Sequence, residues 1–357
     1  MTAGPTRRPV LVVTGFLGAG KTTLVRHLLR RPDMADTAVV VNELGAVGLD
    51  HRLVRQVADR TVLLAGGCLC CARRDDLVEA LRALLDADEA ADEGAPEAAG
   101  APGAEAAAHS GEVRRVVIET SGLADPGPIV NALLADPVLQ HHFSLDGVVT
   151  AVDAAGALAH LERHAESVRQ VAAADWLVLT KLDLAEQRVA EALRRRLAVL
   201  NPSAPILEAT FGQLDEASWP GPRSGLDSGP RLRRQVESTS TATRAHGGTV
   251  RALSVELDEP LDWSVFAVWL SLLLHAHGEH VLRFKALVDT GEGGPVALNG
   301  VGHVVYPPEH LARWDGQRRS QLVFVLDTLA PHDVSTSLRR FEERLRRPAR
   351  SLDQGRL

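Results

Sequence analysis

"VLVVTGFLGAGKTTL", residues 10–24, is the stretch on which the fold turns. Val10–Val13 form a short apolar run of strand type, and "KTTLVRHLLRR" after them has the apolar spacing of a helix. Between the two, Gly15, Gly20, Lys21 and Thr22 fit the phosphate-loop spacing G-x-x-x-x-G-K-[ST]. Glycines there let backbone N–H groups turn inward around phosphate oxygens. Lys21 supplies a point charge for the β and γ phosphates, and the Thr22 hydroxyl is suited to ligate Mg²⁺. The strand before and the helix after separate this motif from a fortuitous glycine turn.

Outward from this loop, short apolar runs keep alternating with helical sequence. "AVVV" (38–41), "VRRVVIET" (113–120), "LDGVVTAVDA" (145–154) and "ADWLVLTKLDL" (174–184) read as strands, and "DDLVEALRALL" as a helix. Such alternation predicts an α/β domain with a mostly parallel sheet covered on both faces. Ligands of such sheets bind beyond the carboxyl ends of the strands, so the loops there are the candidate sites.

Two of those loops bear on the nucleotide. "VVIETSG" (116–122) ends a strand on Glu119, which is placed to hold Mg²⁺ through water or to polarise an attacking water. Gly122, three residues on, offers an N–H to a γ-phosphate and so reports whether one is present. "LVLTKLDL" (177–184) gives T-K-x-D. The Asp183 carboxylate can accept the N1–H and exocyclic amine of guanine, a pairing adenine does not offer, and the Lys181 stem can lie over the ring. The competing role for Asp183 is an N-cap for the helix that follows.

The chain's three cysteines, Cys68, Cys70 and Cys71, stand together in "GGCLCC". A disulfide between such near neighbours would be strained. Three convergent thiolates suit Zn²⁺, and Arg73 and Arg74 favour the thiolate forms. A fourth position is left for water, a His or a carboxylate. Buried small thiols and redox sensing are the alternatives.

The formal net charge is −7, yet residues 86–112 hold eight acids and no Lys or Arg, so the rest of the chain stands at +1. That Ala/Gly/Pro/Glu-rich segment lacks large apolar residues and is expected to be a mobile insertion. Residues 213–249, rich in Ser, Thr, Gly, Pro and Arg, are expected to be a linker between a domain over 1–212 and a smaller α+β domain over 250–348. No window has the ~18 uncharged apolar residues of a membrane span. The basic start runs directly into the first strand with no small-residue cleavage site, so a cytoplasmic protein is expected. Neither nucleic acid nor membrane is an expected partner, and a homo-oligomer is compatible with the sequence.

Among the histidines, "HH" (141–142) reads as an exposed loop, and His160 and His164 as solvated positions on one helix face. His275, His277 and His280 follow a helix, where cations complement its C-terminus; a secondary metal or docking role is the alternative.

Taken in order, "TGFLGAGKTTL", "VVVNELGAVGLD", "GGCLCC", "VVIETSGLADPGPI", "LDGVVTAVDA" and "TKLDL" resemble the CobW-type GTPase family, relatives of the urease and hydrogenase nickel-insertion GTPases. The resemblance covers most of 9–212 and continues more loosely through 250–346. It implies a Mg²⁺-dependent GTPase that binds Zn²⁺, or Co²⁺ in some members, and delivers it to a metal-requiring client. Carried onto this chain, it places Gly15, Gly18, Ala19, Gly20, Lys21, Thr22 and Thr23 around phosphate and magnesium. Lys21, Glu119 and Gly122 would serve catalysis. Thr180, Lys181 and Asp183 would hold guanine, and Cys68, Cys70 and Cys71 the metal, with Glu43 as an additional ligand or a switch carboxylate. Thr180 stands where Asn is commoner, so a weaker affinity with unchanged specificity is expected. Ala46 replaces a frequent second acid, and Ala286 a frequent Gly at an expected local turn. No arginine finger is identifiable, and turnover is expected to be slow. The rivals are a nucleotide-binding zinc buffer or sensor without turnover, and a P-loop ATPase or kinase with an incidental zinc site.

Overall fold

The computed structural model describes residues 7–42, 60–64, 72–92, 113–214, 249–314 and 317–346. The chain divides into two compact units, Met1–Ser228 and Gly229–Leu357. Among the described residues, no helix is long and apolar enough to cross a membrane.

The first unit begins with β1 (Arg8–Thr14) and α1 (Lys21–Leu29), followed by β2 (Thr37–Asn42), β3 (Arg60–Leu64) and α2 (Ala72–Asp92). Then come β4 (Arg115–Glu119), α3 (Gly127–Ala135), α4 (Pro137–His142), β5 (Phe143–Asp153), α5 (Ala157–Arg163) and α6 (Ala165–Ala173). It closes with β6 (Trp176–Thr180), α7 (Gln187–Leu200), β7 (Ile206–Thr210) and β8 (Gln213–Leu214). The strands form one sheet in the order β3-β2-β4-β1-β5-β6-β7-β8, parallel except for the β7–β8 hairpin. This is the P-loop NTPase arrangement that the alternating pattern predicts.

Helix α1 buries Leu24, Val25 and Leu28 against Leu11 and Val13 of β1, Val39 and Val41 of β2, Val117 of β4, and Trp176 and Val178 of β6. Each such side chain contributes about 1.5–3 kcal/mol when fully buried, an upper figure because the unfolded chain already hides some of that area. The packing fixes the first turn of α1 relative to the carboxyl ends of β1 and β4. Residues 86–92, expected within the mobile insertion, instead complete α2. Its Asp88 carboxylate accepts from Arg8 Nη1 (2.6 Å) and from the Val113 N–H (3.2 Å), and the Ala/Asp/Glu composition suits a helix once that anchor exists. Gln213 and Leu214, expected at the start of the linker, pair with β7 as β8. The rest of the expected insertion, 93–112, and of the expected linker, 215–248, lies outside the described residues. His141 and His142 close α4 rather than forming a loop; Asp136 caps this helix by accepting from the N–H groups of Val138 and Leu139.

The second unit comprises β9 (Val250–Leu257), α8 (Trp263–His277), β10 (Val281–Val288), β11 (Val296–Val301), β12 (Val304–Val305), β13 (Glu309–His310), β14 (Ser320–Asp327) and α9 (Pro331–Arg346). Its antiparallel sheet runs β12-β11-β10-β14-β9, with β13 on β11. Helices α8 and α9 contribute Phe266, Trp269, Leu270, Val334 and Leu338 to a core shared with Phe284 and Phe324, and Trp269 Nε1 donates to Ser337 Oγ at 3.1 Å. This is the α+β unit predicted. Ala286 lies in mid-strand, fully buried and paired with Leu298 and Leu322, so it marks no turn; a side chain there fills the core.

Candidate functional site

The loop after β1 is built as its glycines demand. Gly15, Gly18 and Gly20 have φ of 143°, 71° and 84°, values that L side chains rarely adopt. Phe16 O accepts from the Ala19 N–H (3.1 Å), which closes the turn, and from Lys21 Nζ (3.2 Å), which draws the ammonium across the loop. Lys21 opens α1, so the helix N-terminus faces the same loop and its unsatisfied N–H groups favour an anion there.

Glu119 ends β4, 4% exposed, in register with Val13 on one side and Val41 on the other. Thr22 Oγ1 donates to Glu119 Oε1 at 2.5 Å, so two groups separated by 97 positions in sequence meet at one point. Hydroxyl and carboxylate oxygens are hard ligands, and this donor pair fits Mg²⁺. Thr120 fastens the two strand ends: its N–H donates to Val13 O (2.9 Å) and its hydroxyl to Thr14 Oγ1 (2.7 Å). Gly122 then lies directly on the phosphate loop. A Cβ at Gly122 would sit 2.7 Å from Leu17 N and 2.8 Å from Leu17 Cα, closer than packed atoms tolerate, so only glycine fits.

Sequence reasoning missed the residue that holds this segment. Gln170 of α6, 1% exposed, donates through Nε2 to both Gly122 O (3.1 Å) and Ala124 O (2.9 Å), while its backbone carbonyl accepts from Thr150 Oγ1 (2.8 Å). A glutamine beside apolar helix residues carries no sequence signal for this role.

At the other end of the loop, Thr180 is 4% exposed and its hydroxyl donates to Ala19 O at 2.9 Å, with Val152 O at 3.3 Å. The threonine thereby links the T-K-x-D segment to the phosphate loop. Lys181 takes a left-handed φ of 55°, and its Nζ pairs with Asp153 Oδ2 at 2.9 Å. Asp153, which the sequence reading also passed over, is an acid closing a parallel strand. Asp183 is exposed within the turn Leu182–Leu184. It is not a helix cap, because the N-cap position of α7 is Glu186.

The histidines next to the loop also differ from expectation. Phe16 packs against the rings of His160 (4.6 Å) and His164 (4.7 Å); the former is half-buried, and the latter is the joint between α5 and α6. In the second unit His275 and His277 are exposed in the last turn of α8, and His280 Nδ1 meets Thr328 Oγ1 at 2.9 Å. Among the described residues, no group of three or more His, Cys, Asp or Glu is placed to hold a metal. Cys68, Cys70, Cys71 and Glu43 lie outside the described residues. The strands from which the chain enters those segments are adjacent, however: β3 ends at Leu64 beside β2, which ends at Asn42 beside the strand that ends in Glu119.

A phosphate loop between a buried strand and helix, with an acid-ended parallel strand alongside, defines a P-loop nucleotide-binding protein. Residues 9–208 match the CobW/HypB/UreG nucleotide-binding domain, and residues 250–342 match the cobalamin synthesis protein cobW C-terminal domain. The chain belongs to that family. It is 34% identical over 328 residues to zinc chaperone YjiA of Escherichia coli, covering 88% of this chain and 93% of that protein. It is 32% identical over 217 residues to zinc-regulated GTPase metalloprotein activator 1 of Schizosaccharomyces pombe, covering 59% of this chain and 47% of that one. The crystal structure of Zn(II)-bound YjiA GTPase from E. coli superposes with a TM-score of 0.67 at 27% identity, covering 94% of this chain and 99% of that one.

Proposed function

We propose that this chain is a GTP-hydrolysing metallochaperone that takes Zn²⁺, or Co²⁺, as cargo on Cys68, Cys70, Cys71 and Glu43 and releases it to a metal-requiring client as the nucleotide changes. The contact between Thr22 and Glu119 carries the reading. It joins the phosphate loop to the acid-ended strand, which pairs with β2, and β2 in turn with β3; these last two lead toward the proposed metal ligands. The names of the E. coli and S. pombe relatives, a zinc chaperone and a zinc-regulated GTPase activator, support the same assignment.

In this reading the loop N–H groups and Lys21 hold the β and γ phosphates, and Asp183 accepts from guanine N1–H and its amine. Thr22 and Glu119 would hold Mg²⁺, which supplies charge neutralisation at the β- and γ-phosphate oxygens. Glu119 orients a water for in-line attack on the γ-phosphorus. The bond to the β–γ bridging oxygen breaks, giving GDP and phosphate. The Gly122 N–H binds a γ-phosphate oxygen, so loss of phosphate frees the 121–124 segment. The cysteine segment lies in sequence between Glu43 and Glu119, and its metal affinity would follow the nucleotide through both.

The test is Zn²⁺ affinity of anaerobically purified protein with GTP, GDP and no nucleotide, alongside a Cys68/Cys70/Cys71→Ser variant. Coupling predicts an affinity that differs between GTP and GDP and is lost in the variant. Equal affinity in all three states would rule the coupling out and leave a zinc buffer. ATP competing as well as GTP in phosphate release would favour an ATPase or kinase.

A further inference from the structure

We infer that Phe211 is a base-binding residue of the nucleotide site, stacking on the face of the bound guanine opposite the Lys181 stem. The inference rests on the GTP reading above and adds a residue to it.

Strands β6 and β7 are parallel neighbours, with Leu177, Val178 and Leu179 in register with Ile206, Leu207 and Glu208. They end one residue apart in that register, so Lys181 and Asp183 leave one strand end where Thr210 and Phe211 leave the next. Lys181 and Phe211 are both non-glycine residues in the left-handed region, at φ 55° and φ 50°. For Phe211 this follows from the β7–β8 hairpin: with Thr210 paired to Gln213, Phe211 and Gly212 are its two turn residues, and such turns place both at positive φ. Phe211 is also 72% exposed, although large aromatic side chains gain most from burial. A planar aromatic at the tip of a fixed two-residue turn, left open beside the guanine-reading acid, is suited to one kind of ligand surface, the π-face of a base.

The loop is registered on the phosphate loop, not merely near Lys181. Gly212 has φ 82°, and a Cβ there would lie 2.8 Å from Thr23 Cγ2 and 2.7 Å from His27 Cδ2, both on α1. The His27 ring, two turns of α1 beyond the phosphate loop, lies directly against this turn. The helix that presents Lys21 and Thr22 to phosphate therefore also fixes the backbone from which the Phe211 ring projects. Stacking is tolerant of base identity, while Asp183 selects guanine; the ring supplies affinity and the carboxylate supplies choice.

The experiment measures dissociation constants for GDP and for inorganic tripolyphosphate, both with Mg²⁺, on the full chain and on Phe211→Ala, Phe211→Trp and Asp183→Asn. Loss of one base–aromatic stack predicts a GDP dissociation constant about tenfold higher in Phe211→Ala, with tripolyphosphate binding unchanged. Phe211→Trp should keep GDP affinity and show indole emission quenched by GDP but not by tripolyphosphate. A GDP constant for Phe211→Ala within about twofold of the parent, with Asp183→Asn weakened, overturns the stacking role and leaves the guanine reading intact. Equal weakening toward GDP and tripolyphosphate also overturns it, since the residue then only supports the loop. Failure of the parent chain to bind GDP while it binds tripolyphosphate would overturn the guanine reading itself.

Discussion

Replacing Gln170 by leucine removes a single amide and tests how the segment proposed to sense the γ-phosphate is held. The side chains are similar in volume, so no large cavity forms. The two carbonyls that the amide serves, at Gly122 and Ala124, lie in buried residues with Nε2 at 3.1 and 2.9 Å. Each buried acceptor left without its donor costs about 1–3 kcal/mol. Part of that is recovered because the leucine side chain would bury more apolar surface than the amide, by about 1 kcal/mol. The expected net loss is about 1–5 kcal/mol, a large share of the ~5–15 kcal/mol that holds a typical domain. Urea unfolding followed through buried Trp176 of β6 reads it out. Activity separates a positioning role from a merely structural one. GDP has no γ-phosphate, so its affinity should change less than about twofold. Single-turnover GTP hydrolysis should fall about 10- to 100-fold, as expected for a displaced transition-state donor. A stability change under about 0.5 kcal/mol would show that the two bonds contribute nothing net. Equal losses in GDP affinity and hydrolysis would refute the positioning of Gly122.

Other substitutions probe neighbouring contacts. Gly122→Ala inserts a methyl 2.7–2.8 Å from the Leu17 backbone. Overpacking of that kind costs about 1–3 kcal/mol, and GTP hydrolysis should be lost with displacement of the phosphate loop. Thr180→Val removes the donor to Ala19 O; about 1–2 kcal/mol corresponds to GDP binding roughly 5- to 30-fold weaker by calorimetry, with preference over ADP kept. His27 is held below its ordinary value of 6.5 by burial first and then by Arg30 and Arg26, against the Phe211 carbonyl, which acts the other way. Its contribution to stability is complete above 6.5 and declines as the pH falls toward the lowered folded value, because the unfolded chain protonates first. Urea midpoints compared at about pH 5 and about pH 7.5 should show a smaller acid loss in His27→Gln than in the parent.

Periodicity and punctuation made the first unit's order of elements legible. Apolar runs of four to six residues, glycines at turns, and a lysine after Gly20 are local signals, and parallel sheets covered on both faces write them plainly. Thr22 and Glu119 were legible as separate motif members, and their meeting follows from β1 and β4 lying side by side. What the sequence did not disclose are contacts made by ordinary residues through the fold. Gln170 bonds carbonyls 46 and 48 positions away, and nothing in its neighbourhood announces that. His160 and His164 sit at helical spacing, yet α5 stops at Arg163, so the second histidine turns at a joint and both meet Phe16. Residues 86–92 share the composition of the residues that follow them, and the anchor from Asp88 to Arg8 and Val113 holds them in helix. Asp183 had two equally natural roles on paper, and the position of Glu186 at the start of α7 removed the cap.

That anchor also bears on how the gene can change. Asp88 near the end of α2 and Val113 just ahead of β4 are joined by one hydrogen bond, and Arg8 of β1 clasps the same carboxylate. Everything spelled between Asp92 and Val113 thus begins and ends at a closed clasp. Because Asp88, Val113 and Arg8 are fixed to one another, the strands behind the phosphate loop are expected to keep their spacing when codons are added or deleted there. The clasp thus marks a place in the coding sequence where a change of length is expected to leave the register of β1 and β4 intact.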